Sequence, residues 1–525
     1  MKLNSLLNLI AMVGCAFFTL GCASATDAGP AVDLRIVGGT VFDGSGAPGA
    51  QDYVVEVNGD QIVYVGPARS GVAQRTIDAT GKIVAPGFID PHTHAYGDLS
   101  DPQRSANLPY LFQGVSTVFV GNDGGVGRYD EVAANLAKVS VGTNVGVFSG
   151  HGVVRRQVLG NADRPPSADE LRVMQNAVAQ DMRGGAFGLS TGLFYAPGSF
   201  ADLDEVVALA EVAAAYGGIY ESHIRDESDY SIGLMGAIAE AIDVGREAGL
   251  PVHLAHLKAL GPSVHGLSQE IIAMVEGAHD EGIEVSADQY PWLASGTRLS
   301  NALIPRRVMT GGSEVLANNL ADAAFVAEIS AEMIENLRRR GGAEALLITG
   351  QSEHQGMTLA QVAEELNAQP ILAAVDIVRA GDPAVASFMM QEQDVERLMV
   401  QDWVVTSSDG SRGHPRKYGS FPEKYATYVK DKGLLDLATF IHRSTGATAQ
   451  LLNLCNRGFL RSGYQADIVV FDPATFQANA TYERPEELAQ GVEYLLVNGV
   501  AAIDAGEMSN GTAGRLLNLQ ACTGR

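Results

Sequence analysis

His92 and His94 stand two apart where an apolar stretch ends, in Pro86-Gly87-Phe88-Ile89-Asp90-Pro91-His92-Thr93-His94. In an extended chain alternate side chains point to the same side, so both rings can offer a nitrogen to one cation. Three later segments repeat the arrangement of a metal-type ligand in or just after an apolar run. They are Ser222-His223-Ile224-Arg225-Asp226-Glu227, His253-Leu254-Ala255-His256-Leu257-Lys258 and Ser407-Ser408-Asp409-Gly410. Asp123 follows Val118-Phe119-Val120-Gly121-Asn122 in the same manner. Imidazole and carboxylate donors with an open position suit zinc. Such an ion lowers the pKa of water to about 7 and polarises a carbonyl. A carboxylate beside it can carry the proton from water to a leaving group, and Asp409 is the candidate for that work.

Ligands that all end strand-like runs need a scaffold that brings strand ends together. Between residues 117 and 406, β-branched runs such as Thr117-Val118-Phe119-Val120, Asn144-Val145-Gly146-Val147-Phe148 and Trp403-Val404-Val405-Thr406 alternate with helical patterns such as 201–216 and 230–248. Repeated β-α units of this length predict a parallel sheet, best closed as a TIM-like (β/α)8 barrel over residues 87–457. Its polar residues then fall at the C-terminal strand ends. Short β-branched runs with Asn-Gly turns at Asn58-Gly59 and Asn498-Gly499 predict a β-sandwich built from both ends of the chain, 32–86 with 458–520. Residues 299–365 break the rhythm with helix formers and read as a subdomain inserted over the barrel mouth.

The chain has 525 residues, 46% hydrophobic and 18% charged, with a formal net charge of −25. That is a globular composition with more than one domain. So acidic a body excludes nucleic acid and anionic lipid surfaces as partners and repels anionic substrates at long range, so a site for a small anion must supply its own Lys or Arg. Residues 1–22 read as an export leader: Lys2, an apolar stretch from Leu6 to Leu20, then Thr19-Leu20-Gly21-Cys22, which resembles a lipoprotein cleavage box. Cys22 would carry the lipid, and Ala23 after it points to the outer membrane, facing the periplasm; ordinary cleavage near Ala23-Ser24-Ala25 is the rival. Cys455 and Cys522 lie in the body, and their spacing does not decide whether they pair. The oligomeric state is not legible.

With these segments in hand, the chain resembles the N-acyl-D-amino-acid deacylases, the D-aminoacylase branch of the metal-dependent amidohydrolases. The resemblance runs from about Asp33 to Leu517. It is carried by the His92/His94 segment, Gly188-Leu189-Ser190-Thr191-Gly192-Leu193-Phe194-Tyr195, Ser222–Glu227, Asp288-Gln289-Tyr290-Pro291-Trp292, His414-Pro415-Arg416 and Val497-Asn498-Gly499. It implies a barrel, a β-sandwich and a small insertion, zinc, and hydrolysis of N-acyl-D-amino acids to a carboxylic acid and a D-amino acid. It makes His223, His256 and position 123 the tight metal site, with His92, His94 and Asp409 as a weaker second one. It implies that Lys258, Tyr290 and Arg416 hold the substrate α-carboxylate, and it offers Tyr195 for the side-chain pocket. In the family a cysteine occupies the place of Asp123. Carboxylate is a harder ligand than thiolate and would hold zinc less tightly while admitting other divalent ions.

Two rivals remain open. The same machinery could cleave another amide, a dipeptide or a cyclic amide. A non-catalytic binding protein on a decayed barrel is the alternative of another class, and the intact set of His92, His94, His223, His256 and Asp409 counts against it. The glycine-rich stretch 121–127 lacks the spacing of a phosphate loop. His253, three residues before His256, is expected to face away from it, and His151 with Arg155 reads as packing.

Overall fold

A computed structural model of the protein describes residues 31–509 and 511–519. The leader, Cys22 and Cys522 lie outside the described residues. Among the described residues no helix is long and apolar enough to cross a membrane.

Eight parallel strands form the central barrel. They are β1 (Phe88–Asp90), β2 (Val115–Val120), β3 (Asn144–Val147, continuing as Ser149–Gly150), β4 (Gly188–Gly192), β5 (Ile219–His223), β6 (Val252–Leu254), β7 (Val285–Gln289) and β8 (Val404–Thr406). Each pairs in parallel with the next. Closure runs through a parallel bridge between Thr93 and Gly410, with the Asp409 N–H donating to the His92 carbonyl at 3.0 Å. Helices cover the outside, so the strands are buried on both faces; all six residues of β2 are buried. Helix starts are set by local chemistry. Ser167 and Glu170 form a capping box, and Asp202 accepts the Glu205 N–H.

The chain ends build the sandwich together. One sheet is drawn from residues 32–78 alone. In the other, Ile83–Pro86 from the N-terminal part pairs antiparallel with Ile468–Phe471 from the C-terminal part. Ile36, Val55, Ile62, Ile468 and Leu496 fill the space between. Cys455 is disulfide-bonded.

The insertion is wider than the 299–365 expected from its helix-forming composition. Ala294–Arg298 pairs antiparallel with Ala384–Phe388, which also pairs with Leu346–Ile348. The unit therefore runs from 294 to 388 and carries its own core around Ile329, Met333, Leu359 and Ile377. Its boundary strands are rich in Ala, Ser, Gly and Thr, which hid them from a reading that sought β-branched runs.

Lys424 lies fully buried at the start of the π-helix Lys424–Asp431, and its Nζ has no hydrogen-bond partner. Burial, with Arg443 adding to it, pushes the amine down from 10.5 to about 7. The penalty for burying the charge is absent above pH 10.5, grows as the pH falls and is complete below about 7. Lys424→Met should therefore raise the melting temperature by a few degrees at pH 7, with the gain shrinking toward pH 10. A calorimetric pH series checks this; an equal gain at both pH values would mean that packing, not charge, decides.

Candidate metal centre and active site

The six candidate metal ligands all reach the C-terminal mouth of the barrel. His92 and His94 follow β1, Asp123 follows β2, His223 ends β5, His256 follows β6 and Asp409 follows β8. Three of these six have left-handed backbone: Asp123 at φ 56°, His256 at φ 35° and Asp409 at φ 47°. That region costs a non-glycine residue about 1–3 kcal/mol, and it turns each side chain inward at the strand end. Gly192 permits the Asp123 turn to lie against β4, since a Cβ there would collide with the Asp123 carbonyl.

The side chains converge on the Asp123 carboxylate. Its Oδ1 lies 3.4 Å from His92 Nε2, 3.4 Å from His223 Nδ1 and 3.5 Å from His256 Nε2. Its Oδ2 lies 3.5 Å from His94 Nε2. Asp123 Oδ1, His92 Nε2 and His223 Nδ1 are buried and make no hydrogen bond. Two ligands of one tetrahedral ion with bonds of about 2.0–2.1 Å stand about 3.3 Å apart. The orphaned atoms thus have the spacing of donors that share a cation, and the donor set fits a divalent one. Donors of His223, Glu227 and His256 lie close together, and two further groups adjoin Asp123: His92 with Asp123 and His256, and His92 with His94 and Asp409. The two overlap at His92, and the two oxygens of Asp123 face both.

Charge points the same way. Burial would depress the His92 imidazole, yet the carboxylates of Asp123, Asp288 and Glu221 hold it up at about 10. His92 and His256, the latter held up at about 9 against burial by the carboxylates of Asp409 and Glu227, sit in a field that calls for positive charge, whereas burial holds the His223 imidazole below its ordinary value. A cation competes with protons for such donors. Burial also opposes ionisation of Asp409, but Arg416, aided by His256 and His94, holds its carboxyl well below the usual carboxylate range.

The ligands are braced from behind. Glu221 Oε1 stands 3.1 Å from His92 Nδ1, and Glu227 Oε1 stands 3.1 Å from His256 Nδ1. Asp288 accepts the His256 backbone N–H at 3.0 Å and pairs with His253 Nε2 at 2.8 Å. His253 does not turn outward as expected: its register partner on β5 is Glu221, so it too points into the barrel, and it bears on the centre through Asp288. Such partners fix ring orientation and tune ligand basicity. Glu221, Glu227 and Asp288 were not singled out by residue type. Glu221 had a signal, since it lies two residues before His223 on the same face of β5. His151 and Arg155 pair with Glu205 in the wall and touch no ligand.

The expected carboxylate-holding residues fare differently. Arg416 is 1% exposed and lines the cavity, but its Nη1 is engaged at 2.7 Å with Asp409 Oδ2. Its Nη2 donates to Ser411 Oγ at 2.9 Å. Lys258 lines the cavity as well; its Nζ donates to Glu227 at 2.5 Å and to the His256 carbonyl at 2.7 Å. Tyr290 does not reach the cavity wall. It lies behind the two cations, its ring 4.9 Å from the Arg416 guanidinium carbon and 5.6 Å from Lys258 Nζ, because burial of two cations favours an aromatic face beneath them. Tyr195 lines the cavity with its ring 4.7 Å from that of His223. The cavity, about 1260 Å³, opens between the barrel mouth and the insertion.

Comparison with known proteins agrees with this geometry. A family model described as an amidohydrolase family (Amidohydro_3) matches residues 75–503. The D-aminoacylase of Alcaligenes xylosoxydans xylosoxydans is 32% identical, over 94% of this chain and 99% of that one. The N-acyl-D-glutamate deacylase of the same organism is 32% identical, over 93% and 97%. The crystal structure of N-acyl-D-glutamate deacylase from Bordetella bronchiseptica, complexed with zinc and a phosphonate inhibitor that mimics the tetrahedral intermediate, superposes with a TM-score of 0.80 at 29% identity, covering 93% of this chain and 99% of that one. A barrel of this topology with a histidine–carboxylate centre at its mouth, matched along most of its length, shows that the chain belongs to the amidohydrolase family.

Proposed function

We propose that the protein hydrolyses the amide bond of N-acyl-D-amino acids, releasing a carboxylic acid and a D-amino acid. The observation that carries this reading is the orphaned donor set around Asp123, with an ionised Asp409 at its edge, in a chain that aligns along nearly its whole length with deacylases of that substrate class. Zinc is the cation that the imidazole-rich donors favour. His223, His256 and Asp123 would hold it, with His92, His94 and Asp409 able to take a second ion.

A divalent cation bound there supplies a water of lowered pKa and polarises the scissile carbonyl. Asp409 carries the proton. Its Oδ2 is held by Arg416 and its Oδ1 faces His94 at 3.1 Å, so Oδ1 can take a proton from the attacking water and return it to the departing nitrogen. Arg416 and Lys258 are the cations next to this point, and we assign them the α-carboxylate of the substrate. Tyr195 lines the space left for the side chain. Turnover of matched N-acetyl-D- and N-acetyl-L-amino acids, with the D-amino acid amides in parallel, tests the reading. The D-acids should be cleaved, and the L-acids and capped amides should be poor; preference for the capped amides would move the substrate to another class of amide.

Arg416→Met should act twice, because the guanidinium both grips Asp409 and faces the cavity. kcat should fall for any substrate, and KM should rise about 10- to 100-fold only for those with a free carboxylate, the size of a lost charge-assisted hydrogen bond. Equal losses on acid and capped amide would confine Arg416 to Asp409.

The leader-like residues 1–22 and Cys22 support a reading in which this activity lies outside the cytoplasm, on an outer-membrane lipid anchor. Cys22→Ala should shift the protein from the membrane to the soluble fraction; unchanged fractionation would remove the anchor.

A further inference from the structure

Three arginines of the insertion surround one tyrosine of the barrel. The guanidinium carbons of Arg306, Arg339 and Arg340 lie 5.1, 5.3 and 5.6 Å from the centroid of the Tyr230 ring. Arg339 pairs with Asp229 at 3.1 Å. Arg306 and Arg340 have no carboxylate within 4.0 Å among the described residues. Arg306 lies 3.4 Å over the Phe194 ring and donates to the Phe194 carbonyl. Arg340 is 2% exposed, gives its Nε to the Tyr230 hydroxyl at 2.7 Å and lines the active-site cavity. Asp226, the carboxylate whose charge acts on Arg306, already accepts the backbone N–H groups of Ser228, Ser231 and Gly233.

The other buried arginines are not like this. Arg155 faces Glu205, Arg416 faces Asp409 and Arg457 faces Asp467, while Arg443 is satisfied by the carbonyls of Met399 and Val400. Two neighbouring guanidiniums without an acid are costly, and the planar fork left open on Arg340 is the geometry that takes a carboxylate bidentately. Phe194 and Tyr195, which flank His223, connect the pair to the reaction centre along the cavity wall. In a chain of net charge −25, a substrate with two negative charges needs a second local cation.

We propose that Arg340, backed by Arg306, receives a second carboxylate of the substrate, so that the enzyme prefers dianionic N-acyl-D-amino acids. The inference rests on the deacylase reading. The second carboxylate belongs either to an acidic side chain or to a dicarboxylic acyl group, and the chemistry of recognition is the same.

The test compares N-acetyl-D-glutamate and N-succinyl-D-glutamine with N-acetyl-D-glutamine, using wild type, Arg340→Met and Arg340→Lys of equal metal content and melting temperature. At least one dianion should exceed N-acetyl-D-glutamine in kcat/KM for the wild type. In Arg340→Met that dianion should lose about 10- to 100-fold, with N-acetyl-D-glutamine changed less than about threefold, and Arg340→Lys should recover part of the loss. The dianion that responds identifies the source. A wild type that cleaves N-acetyl-D-leucine but favours neither dianion, or a mutant that loses equally on all three, overturns the inference and leaves the deacylase reading standing. Failure to cleave any N-acyl-D-amino acid overturns both.

Discussion

Asp409→Asn is expected to bring hydrolysis almost to a stop while leaving the cation at the Asp123 side in place. Asp409 is the ligand-type carboxylate whose second oxygen is gripped by an arginine, at 2.7 Å, and whose first oxygen faces His94 at 3.1 Å within the donor set. The asparagine keeps the size and the hydrogen bond to Arg416 but cannot take a proton. General base and acid action by one group contributes about 10²- to 10⁴-fold, so kcat should drop by that factor or more with KM nearly unchanged. Metal content measured on the same preparation should stay close to that of the wild type, because His223, His256 and Asp123 are untouched. A variant with normal kcat and raised KM would make Asp409 a substrate-binding group and leave the proton carrier unassigned.

The second large effect is expected at Asp123. Three imidazoles from three different strand ends are organised about one oxygen of this residue, and the fourth faces the other oxygen. Removing the carboxylate in Asp123→Ala leaves histidines that repel one another once protonated. Metal should be lost and activity should fall by about 100-fold or more, beyond what loss of a merely supporting partner brings. Asp123→Cys should keep zinc and hold it more tightly than the wild type, since thiolate is the softer donor. Competition with a chelator of known affinity reads both. Wild-type metal and rate in Asp123→Ala would show that the histidines anchor the cation alone.

Much of this architecture was legible in the residues because it depends on local pattern. β-branched runs ending in a polar ligand mark barrel strands, and Asn-Gly turns mark the sandwich. The same rule explains the shortfalls. β7 extends through Ser286-Ala287-Asp288-Gln289, a stretch too polar to read as strand, because Asp288 spends its charge inside the barrel on His253 and on the His256 backbone. The insertion began five residues earlier than expected and ended 23 later, since its edges are small-residue strands paired within the insertion's own sheet. Arg416 was legible as a cation near substrate, but nothing local shows that closure of the barrel sets it against Asp409. The pairing of Glu221 with His92 and of Glu227 with His256 is likewise a property of strand ends brought together, not of either segment alone.

The central claim is that this donor set holds a divalent cation on which hydrolysis of N-acyl-D-amino acids depends. The most direct test is the initial rate of free amine release from an N-acetyl-D-amino acid and its L-enantiomer by protein first stripped of metal and then titrated with zinc. The account predicts no turnover by stripped protein and a rise for the D-substrate with added zinc, the L-substrate remaining poor throughout. Full activity after metal removal, confirmed by elemental analysis, or equal turnover of the two enantiomers would contradict it.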